Sequence, residues 1–421
     1  MRRLYTLLLS LLLPLVLLRL LWRSLRLPEY RRRLGERFGF CPPPAQTSGV
    51  WVHAVSVGET LAASPLLKRL LAEHPDLPLL ITTTTPTGAR QARELFGETI
   101  PHRYFPYDLP GTLDRFLDRA QPRLLVLVET EIWPNLLAAC EQRGIPTILA
   151  NGRLSERSAR RYARLGAFGR ATFQRIGRVA AQTEADAARF VALGVPAERV
   201  SVTGNIKFDL RLPASLHERA EVLRRGWDNR PVWVAASTHE GEEEQVLAAH
   251  RALLARLPQA LLVLVPRHPE RFERVAALGR RAGLRMVRRS EAKPCPPEAQ
   301  LFLGDSMGEL PLFLAAADAA FVGGSLVRRG GHNVLEPAAL GLPVAFGPHM
   351  FNFAAIAALL LEQQGARQVR NGEELGALMG EWLGDAHLRT RIGENGRRVV
   401  EQNRGAADRL YRLLEDALRT S

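Results

Sequence analysis

Short apolar runs alternate with amphipathic segments along most of the chain. Strand-like runs in the first half are separated by stretches whose apolar positions recur with helical spacing. This alternation predicts a parallel β-sheet wrapped by helices. The runs are 50–57 (VWVHAVSV), 77–85 (LPLLITTTT), 123–130 (RLLVLVET), 146–151 (PTILAN) and 178–183 (RVAAQT).

The same pattern restarts after residue 216. Strand-like runs follow at 231–238 (PVWVAAST), 260–267 (ALLVLVPR), 319–325 (AAFVGGS) and 341–347 (GLPVAFG). We therefore predict an α/β protein with two doubly wound domains, since 421 residues exceed one ordinary core. The predicted segments are a membrane-anchor helix at 1–25, a first domain at 26–210, a second domain at 211–387, and a helical segment at 388–421 that packs back across the domain junction.

The first residues are more apolar than an ordinary surface helix. Residues 4–22 are leucine-rich and match the ~20 residues that cross a bilayer, although Arg19 interrupts the run. No small-residue cleavage site follows; instead Trp22 and several arginines flank the run. Arginines on this side predict a cytoplasmic body by the positive-inside rule. We therefore predict a single uncleaved N-terminal anchor that either spans the membrane or lies in its surface.

The net charge and the cysteines indicate which classes of binding partner and compartment suit the chain. The formal net charge of +14 favours anionic partners, such as a bilayer surface, phosphorylated substrates or nucleic acid. Nucleic acid is disfavoured, because the sequence has no zinc-ligand spacing, basic leucine zipper or ribonucleoprotein signature. The three cysteines lie far apart in sequence, which disfavours a disulfide framework or structural zinc and suits a reducing compartment.

The densest group of candidate binding residues lies at 322–348 (VGGSLVRRGGHNVLEPAALGLPVAFGP). Glycines after a strand free backbone amides for phosphate, and a glutamate one turn into the next helix suits ribose hydroxyls. The alternative is a glycine-rich loop whose glycines serve only its own turns. The candidates are Gly323, Gly324, Ser325, Gly331, His332, Asn333 and Glu336.

Two more strand ends in the same half carry groups that suit phosphate. Ser237 and Thr238 end the run at 231–238, where either residue also suits the N-cap of the following helix. Arg267 and His268 follow the next strand, and an arginine fork meets phosphate bidentately. Since ligands collect at the carboxyl ends of parallel strands, these strand ends together predict one phosphate site.

In the first half, the stretch 53–60 (HAVSVGET) places Glu59 at the start of a helix, directly after a strand. Glu59 is either a helix cap or a carboxylate held for chemistry, and a helix N-terminus keeps such a group ionised. Glu131 lies two residues from Glu129, so an extended chain would direct both carboxylates to one side. Other polar residues near strand ends or the predicted hinge suit an anionic ligand: Asn151, Arg153 and Lys207.

Metal chemistry has no sequence signal. No DxD pair occurs, so the metal–diphosphate clamp of one glycosyltransferase class is not predicted. Charge on a leaving phosphate would be met by backbone amides, arginine and lysine. We therefore expect no metal and no cofactor.

Together these motifs make the chain resemble the Kdo (3-deoxy-D-manno-octulosonic acid) transferases of lipopolysaccharide synthesis, which have the GT-B glycosyltransferase fold. The resemblance covers nearly the whole chain, from the leucine-rich start to the final helix. It implies two Rossmann-like domains that face a cleft, with an anchor helix in the bacterial inner membrane. It rests on HAVSVGE, ITTTTPTG, ETEIWPN, NGRLSERS, GNIKFD, PRHPERF and the glycine-rich stretch at 322–348.

The resemblance also implies a reaction. The family transfers Kdo from CMP-Kdo to a lipid A precursor (lipid IVA) with inversion at the anomeric carbon, and the glutamate of its HAVSVGE motif, Glu59 here, is the proposed general base. The second domain would bind CMP through Arg267 and the glycine-rich loops, and the first domain would meet the lipid. The implied partners are CMP-Kdo, the lipid A precursor and the anionic cytoplasmic face of the inner membrane.

Two alternatives stay open from the sequence. One is another GT-B enzyme of cell-envelope synthesis, a nucleotide-sugar transferase or epimerase, which would share the fold and the phosphate loops. The other is a noncatalytic, membrane-tethered binder of nucleotide or lipid. One, two or more Kdo residues would use the same donor chemistry, and the oligomeric state is open.

Overall fold

The computed structural model describes residues 1–25, 27–43, 47–210 and 212–419. The chain divides into two units: Met1–Asp209 with Arg404–Ser421 form unit 1, and Leu210–Asn403 form unit 2. Both units are α/β, in agreement with the alternating pattern. The predicted boundaries at residues 26 and 211 fall on residues outside those described.

A parallel sheet of seven strands forms the centre of unit 1. Its strands are β1 (Val50–His53), β2 (Leu79–Thr83), β3 (His102–Tyr104), β4 (Leu124–Val128), β5 (Thr147–Gly152), β6 (Arg178–Ala181) and β7 (Val200–Val202). They lie in the order β3-β2-β1-β4-β5-β6-β7. The chain moves outward from β1 to β3 and then returns to the other side of β1. The crevice that binds ligands in such sheets therefore lies outside the carboxyl ends of β1 and β4.

Helices cover both faces of this sheet, so its strands are buried apolar runs. Several helices begin at a Ser or Thr N-cap that lies just after a strand, such as Ser56, Thr85 and Thr183. The helices are α1 (Arg2–Ser24), α2 (Val57–Glu73), α3 (Pro86–Phe96), α4 (Pro110–Ala120), α5 (Pro134–Gln142), α6 (Glu156–Ala163), α7 (Gly166–Phe173) and α8 (Glu184–Ala192).

Unit 2 has the same architecture around a second parallel sheet of seven strands. Its helices are α9 (Leu216–Arg225), α10 (Glu243–Leu254), α11 (Phe272–Arg281), α12 (Leu310–Ala315), α13 (Leu335–Ala339), α14 (Ala354–Glu362), α15 (Gly372–Gly384) and α16 (Ala386–Gln402). Its strands are β8 (Val232–Thr238), β9 (Leu261–Pro266), β10 (Met286–Arg288), β11 (Leu301–Leu303), β12 (Ala319–Val322), β13 (Val344–Phe346) and β14 (Ala366–Gln368). They lie in the order β10-β11-β9-β8-β12-β13-β14, which places the ligand crevice at β8 and β12.

The C-terminal region is shared between the units. α16 packs with α13 and α15 in unit 2, whereas the last helix, α17 (Ala406–Arg419), packs on α2 in unit 1. The apolar face of α17 enters the core of unit 1 with Leu410 and Leu414. The predicted segment 388–421 thus falls in two helices, and only the second returns to unit 1.

One helix among the described residues, α1, is long and apolar enough to cross a membrane. It has 23 residues, and its most apolar window has a mean hydropathy of 2.3 with none of its residues buried. Pro14 lies inside the helix without ending it. α1 is therefore a candidate membrane anchor at the predicted position.

Candidate active site

The candidate residues of the first half gather at the carboxyl edge of the unit 1 sheet. Glu59 lies in the first turn of α2, directly after β1, and Glu131 follows β4, the strand beside β1. Asn151 is the penultimate residue of β5, and Lys207 lies in a short 3-10 turn after β7. The structure thus brings these residues to the crevice that the strand order defines.

Glu59 is held firmly at the start of α2. Its carboxylate accepts a hydrogen bond from the backbone N–H of Val55 at 2.6 Å and another from the Ser56 hydroxyl at 3.0 Å. Burial raises the pKa of Glu59 to about 7, although these hydrogen bonds and Lys207 oppose the rise. The expectation of a fully ionised carboxylate is therefore wrong, because desolvation outweighs the helix N-terminus. A carboxyl that is about half ionised near neutral pH is well suited to exchange protons.

Glu131 lies close to both Glu59 and His53. Burial, and then the charge of Glu59, raise the pKa of Glu131 to about 7, and its carboxylate accepts the indole N–H of Trp133 at 2.9 Å. His53 is fully buried and stacks on Phe105 with ring centroids 3.8 Å apart. Burial lowers the pKa of His53 to about 3, so its ring is neutral.

The two ring nitrogens of His53 differ in their contacts. Its Nδ1 lies 3.1 Å from the carbonyl oxygen and 3.0 Å from the hydroxyl oxygen of Thr82. Nε2 has no hydrogen-bond partner among the described residues, and Oε2 of Glu131 is 3.9 Å away. His53 was not among the residues predicted from the sequence, although it opens the HAVSVGET stretch and follows an apolar run.

Lys207 and Asn151 are held by contacts with other residues at the carboxyl edge of the unit 1 sheet. Nζ of Lys207 lies 2.7 Å from Oε1 of Glu129, and Oδ1 of Asn151 accepts the backbone N–H of Ile206 at 3.1 Å. Glu129 has a φ of +63°, and β4 ends before it. Glu129 and Glu131 therefore do not share one side of an extended strand as predicted, because the chain turns between them and gives each its own contacts.

Arg153 follows β5 and presents a free positive charge. Its backbone carbonyl accepts a hydrogen bond from the Thr130 hydroxyl. Its partly exposed guanidinium makes no hydrogen bond or ion pair with any residue that the structure describes. Exposed arginines continue along and after α6, at Arg157, Arg160, Arg161 and Arg164. This part of unit 1 is therefore suited to an anionic ligand.

In unit 2 the predicted donor-binding residues lie at the carboxyl ends of β8, β9 and β12 or after them, and these strands are neighbours in the sheet. The prediction that Ser237 or Thr238 caps the next helix is wrong: Glu242 is the N-cap of α10, because a turn intervenes. Ser237 has a φ of +56°. The Thr238 hydroxyl is buried and has no hydrogen-bond partner among the described residues.

The carboxylate of Glu242 binds the backbone N–H groups that the sequence predicted would bind phosphate. Its fully buried carboxylate accepts hydrogen bonds from the backbone N–H groups of Gly324 at 2.7 Å, Ser325 at 2.9 Å and Leu326 at 2.8 Å. A fourth comes from the N–H of His239 at 3.0 Å. The prediction of free amides at Gly324 and Ser325 is therefore wrong, because the chain supplies its own anion. Glu242 was missed since it lies in EGEEE, which resembles an ordinary acidic first turn.

The glycines of this loop are needed for the turn and its packing. Gly324 and Gly331 have φ values of +68° and +72°. A Cβ on Gly323 would lie 2.7 Å from the carbonyl oxygen of Ser237, and one on Gly331 would overlap Met350. The turn alternative therefore explains these glycines. The Ser325 hydroxyl is likewise engaged, since it donates to the Val322 carbonyl and accepts the N–H of Gly347.

Three histidines form a cluster beside Arg267. The rings of His239 and His332 stack with Nε2 atoms 2.8 Å apart, and His268 lies edge-on to His239 with centroids 5.3 Å apart. Burial, and then nearby positive groups, lower the pKa of His332 to about 3 and of His239 to about 4. Burial also lowers the pKa of His268. The positive charge near these rings therefore comes from arginines, among them Arg329 and Arg267, and the guanidinium of Arg267 makes no ion pair with the described residues.

Asn333 and Glu336 form a pair at the start of α13. Nδ2 of Asn333 donates to Oε1 of Glu336 at 3.0 Å, and Oδ1 of Asn333 accepts the N–H of Leu335 at 3.0 Å. Burial raises the pKa of Glu336. Among the residues described, no group of three or more His, Cys, Asp or Glu residues is placed to hold a metal ion. The metal-free reaction remains a prediction.

Comparison with known proteins identifies the family. A family profile described as 3-deoxy-D-manno-octulosonic-acid transferase (kdotransferase) matches residues 32–210. The 3-deoxy-D-manno-octulosonic acid transferase of Haemophilus influenzae is 44% identical to this chain, with 98% of each chain covered. The enzyme of the same description from Bordetella pertussis is 39% identical, with 99% of each chain covered.

A solved structure supports the architecture. The UDP-GlcNAc 2-epimerase of Neisseria meningitidis, bound to UDP-GlcNAc, aligns with a TM-score of 0.56 and covers 89% of this chain and 100% of its own. Its 14% identity shows the fold alone, which is GT-B. The epimerase alternative thus shares only architecture, whereas the Kdo transferases share sequence along the whole chain. The chain belongs to the Kdo transferase family, glycosyltransferases of lipopolysaccharide synthesis.

Proposed function

We propose that this Kdo transferase moves Kdo from CMP-Kdo to the lipid A precursor lipid IVA, with inversion at the anomeric carbon and Glu59 as the general base. The observation that carries the proposal is the carboxylate of Glu59 at the crevice of the unit 1 sheet, with a pKa raised to about 7 by burial. Such a group takes a proton from a sugar hydroxyl at neutral pH and releases it to water afterwards.

The proposed step transfers one proton, forms one bond and breaks one bond. The acceptor hydroxyl loses its proton to Glu59 while its oxygen bonds to the anomeric carbon of Kdo. The bond from that carbon to the CMP phosphate breaks on the opposite face, and the electron pair leaves with CMP. Val55 and Ser56 hold the carboxylate in place through the two hydrogen bonds that they donate. Orientation of this kind lowers the entropic part of the barrier.

We assign donor binding to unit 2. The free guanidinium of Arg267 meets the charge that develops on the CMP phosphate, and the neutral rings of His268 and His332 offer hydrogen bonds. Glu336, held by Asn333, is suited to accept hydrogen bonds from the ribose hydroxyls. The phosphate does not use the amides of Gly324 and Ser325, because Glu242 already accepts from them.

We assign acceptor binding to unit 1, on the cytoplasmic face of the inner membrane. Lipid IVA is an amphiphile with phosphates on its disaccharide. The exposed arginines from Arg153 onward provide positive charge near the candidate base. Lys207 stabilises the ionised form of Glu59, since its charge lowers the pKa of that carboxyl.

The test is incubation of the full chain with CMP-Kdo and tetraacylated lipid A precursor, with the product mass read by spectrometry. Mass increments of Kdo show the transfer and count the residues added. Glu59→Gln removes the base while keeping the shape of the side chain. We expect transfer to fall by about 10²- to 10⁴-fold and CMP-Kdo binding to persist.

Glu94→Gln is the matched control, because Glu94 is an exposed glutamate of unit 1 on α3. This variant should transfer Kdo at the rate of the unmodified chain. Unchanged transfer in Glu59→Gln would remove the base assignment and leave the activity intact. An unmodified chain that adds no mass to the lipid would overturn the proposed acceptor.

A further inference from the structure

α1 contacts unit 1 along one stripe of its surface. The partly buried or buried side chains of the helix recur every three or four residues, which is the spacing of a single helix face. This stripe runs nearly the full length of the helix, from its first turn to its last. Its members are Tyr5, Leu9, Leu13, Leu17, Leu20 and Ser24.

The N-terminal end of α1 is bonded to the body of unit 1. The Tyr5 hydroxyl donates to Oδ2 of Asp108 at 2.9 Å, and the Thr6 hydroxyl lies 3.0 Å from Nδ2 of Asn135. The Tyr5 ring also packs against Phe168, with centroids 5.8 Å apart. Asp108 itself accepts the backbone N–H of Asn135 at 3.1 Å. It therefore joins the loop before α4 to the start of α5.

The C-terminal end of α1 is held on the same unit. Ser24 is buried, and the guanidinium of Arg23 lies 5.3 Å from the centre of the Tyr30 ring. The short turn Pro28–Arg31 that follows is tied to α3 by an ion pair between Glu29 and Arg90 at 2.9 Å. Both ends of the helix therefore rest on unit 1.

The opposite face of α1 is apolar and exposed. The leucines on this face are 46% to 66% exposed; Leu11 is 66% exposed and Leu15 is 61% exposed. A continuous apolar face that no protein covers marks an interaction site. Arginines lie at both ends of the helix, at positions 2, 3, 19 and 23, and the exposed arginines of α6 lie on a helix that packs on α7, whose Phe168 contacts Tyr5. The partner that fits leucine flanked by arginine is an anionic lipid surface.

We infer that α1 lies in the plane of an anionic bilayer surface, with its leucine face in the lipid and its other face on unit 1, and does not cross the membrane. At about 1.5 Å per residue, the rise from Tyr5 to Ser24 is about 28 Å, close to the ~30 Å of hydrocarbon. A crossing helix would carry Tyr5 to the far side and break its bond to Asp108. The helix lacks a polar face because its inner face meets protein instead of water.

The test determines on which side of the membrane the N-terminus lies. The native cysteines are buried, so Arg3→Cys gives a single exposed thiol at the start of α1, and Glu198→Cys gives one on the body of unit 1. Each full-length variant is treated with a membrane-impermeant maleimide in spheroplasts and in inside-out vesicles. We expect both thiols to be labelled only from the same side. Labelling of Arg3→Cys from the side opposite to Glu198→Cys would overturn the inference.

A second measurement tests the lipid-facing surface. Leu15→Glu puts a charge on the exposed face of α1, and Val222→Glu, at an equally exposed apolar residue of α9, is the matched control. We expect Leu15→Glu to lower binding to phosphatidylglycerol vesicles by about tenfold and Val222→Glu to leave it unchanged. Equal binding to phosphatidylcholine vesicles, or self-association of the chain without vesicle binding, would contradict an anionic lipid partner. Neither measurement depends on the proposed reaction.

Discussion

Glu59 ionises less readily in the folded chain than in the unfolded chain, because burial raises its pKa to about 7. The folded state therefore binds a proton more tightly at this group. The stability that it contributes is complete below the ordinary glutamate pKa of ~4.3 and is lost as pH rises to about 7. A general base must be ionised to act, so the form that favours transfer is the form that opposes folding.

We expect the rate of Kdo transfer to rise with pH through about 7 and then level off, since only ionised Glu59 accepts a proton. Ser56→Ala removes a hydrogen bond that lowers the pKa of Glu59, so it should move the rising part of the profile to higher pH. The measurement is kcat/KM from about pH 5 to about pH 9. Thr183→Ala, which removes the N-cap hydroxyl of α8, is the control, and a profile that Ser56→Ala leaves in place would contradict the assignment.

We expect Glu59→Gln to stabilise unit 1 at pH 8 and to be nearly neutral at pH 5. The amide keeps an acceptor for the N–H of Val55 and has no charge to desolvate. The gain in unfolding free energy at pH 8 should be ~1–2 kcal/mol, reduced by the partial exposure of the side chain. Thermal unfolding at the two pH values measures it. A variant that is less stable than the unmodified chain at pH 8 would show that the ionised carboxylate is stabilising.

The positions of Glu59 and Glu131 at strand ends were predicted from the sequence, whereas the fully ionised carboxylate expected for Glu59 was wrong. Position follows from local pattern, because an apolar run and a small-residue turn define where the strand stops. Ionisation depends on how deeply the fold buries a group and then on which charges approach it from other elements, as burial and then the charge of Glu59 raise the pKa of Glu131. His53 was missed for the same reason, since only the fold shows that its Nε2 faces Glu131.

At the scale of elements, Glu242 joins two loops at the crevice of the unit 2 sheet. It begins α10 after β8, yet its carboxylate accepts hydrogen bonds from three successive amides after β12. A buried carboxylate is stable there because several N–H groups compensate its lost hydration. The loop after β12 therefore has its shape before any donor binds.

We expect Glu242→Gln to destabilise unit 2 by about 3–5 kcal/mol, because the amide nitrogen cannot accept the N–H groups that the carboxylate satisfies. Hydrogen exchange at residues 324–326 should become at least about 100-fold faster. Glu240→Gln is the control, since Glu240 is exposed and its ion pairs with Arg274 and Arg271 contribute little. Unchanged exchange in Glu242→Gln would show that the loop is ordered by other contacts.

The longer strands were predicted from the sequence, whereas most of the three-residue strands were not; β13 is the exception. The runs that became β1, β2, β4, β8 and β9 are continuous and apolar, which is the mark of a strand buried on both faces. β10 and β14 have three residues each and include arginine, so no periodicity distinguishes them from loop. They form because a neighbouring strand already offers its hydrogen-bonding edge.

At the scale of the whole molecule, the chain leaves unit 1 after Asp209, builds unit 2, and returns at Arg404. The carboxylate of Asp209 accepts the backbone N–H groups of Gly405 and Ala407 at 2.5 Å each, which ties the exit to the re-entry. The returning helix α17 contacts α2, the helix that carries Glu59. Unit 1 is therefore completed by residues that follow unit 2 in sequence.

We expect Leu410→Ala to lower the unfolding free energy of unit 1 by about 2–5 kcal/mol, because Leu410 is fully buried in the core between α17 and the sheet. Hydrogen exchange in β1 and β8, followed in denaturant, reports the two units separately. Exchange should quicken in β1 and stay unchanged in β8. Val222→Ala, at an exposed residue, should cost less than about 0.5 kcal/mol. An equal increase of hydrogen exchange in β1 and β8 would contradict separate cores for the two units.

The return of α17 also sets the order in which the protein matures on the ribosome. Every strand of unit 2 has been made before the helix that closes the core of unit 1 emerges, so the half that carries Glu59 is the last to be finished. A chain that stops early or loses its tail to a protease keeps all of unit 2 but leaves the inner side of α2 uncovered. We therefore expect a chain without α17 to lose activity and to expose apolar surface, which favours its degradation.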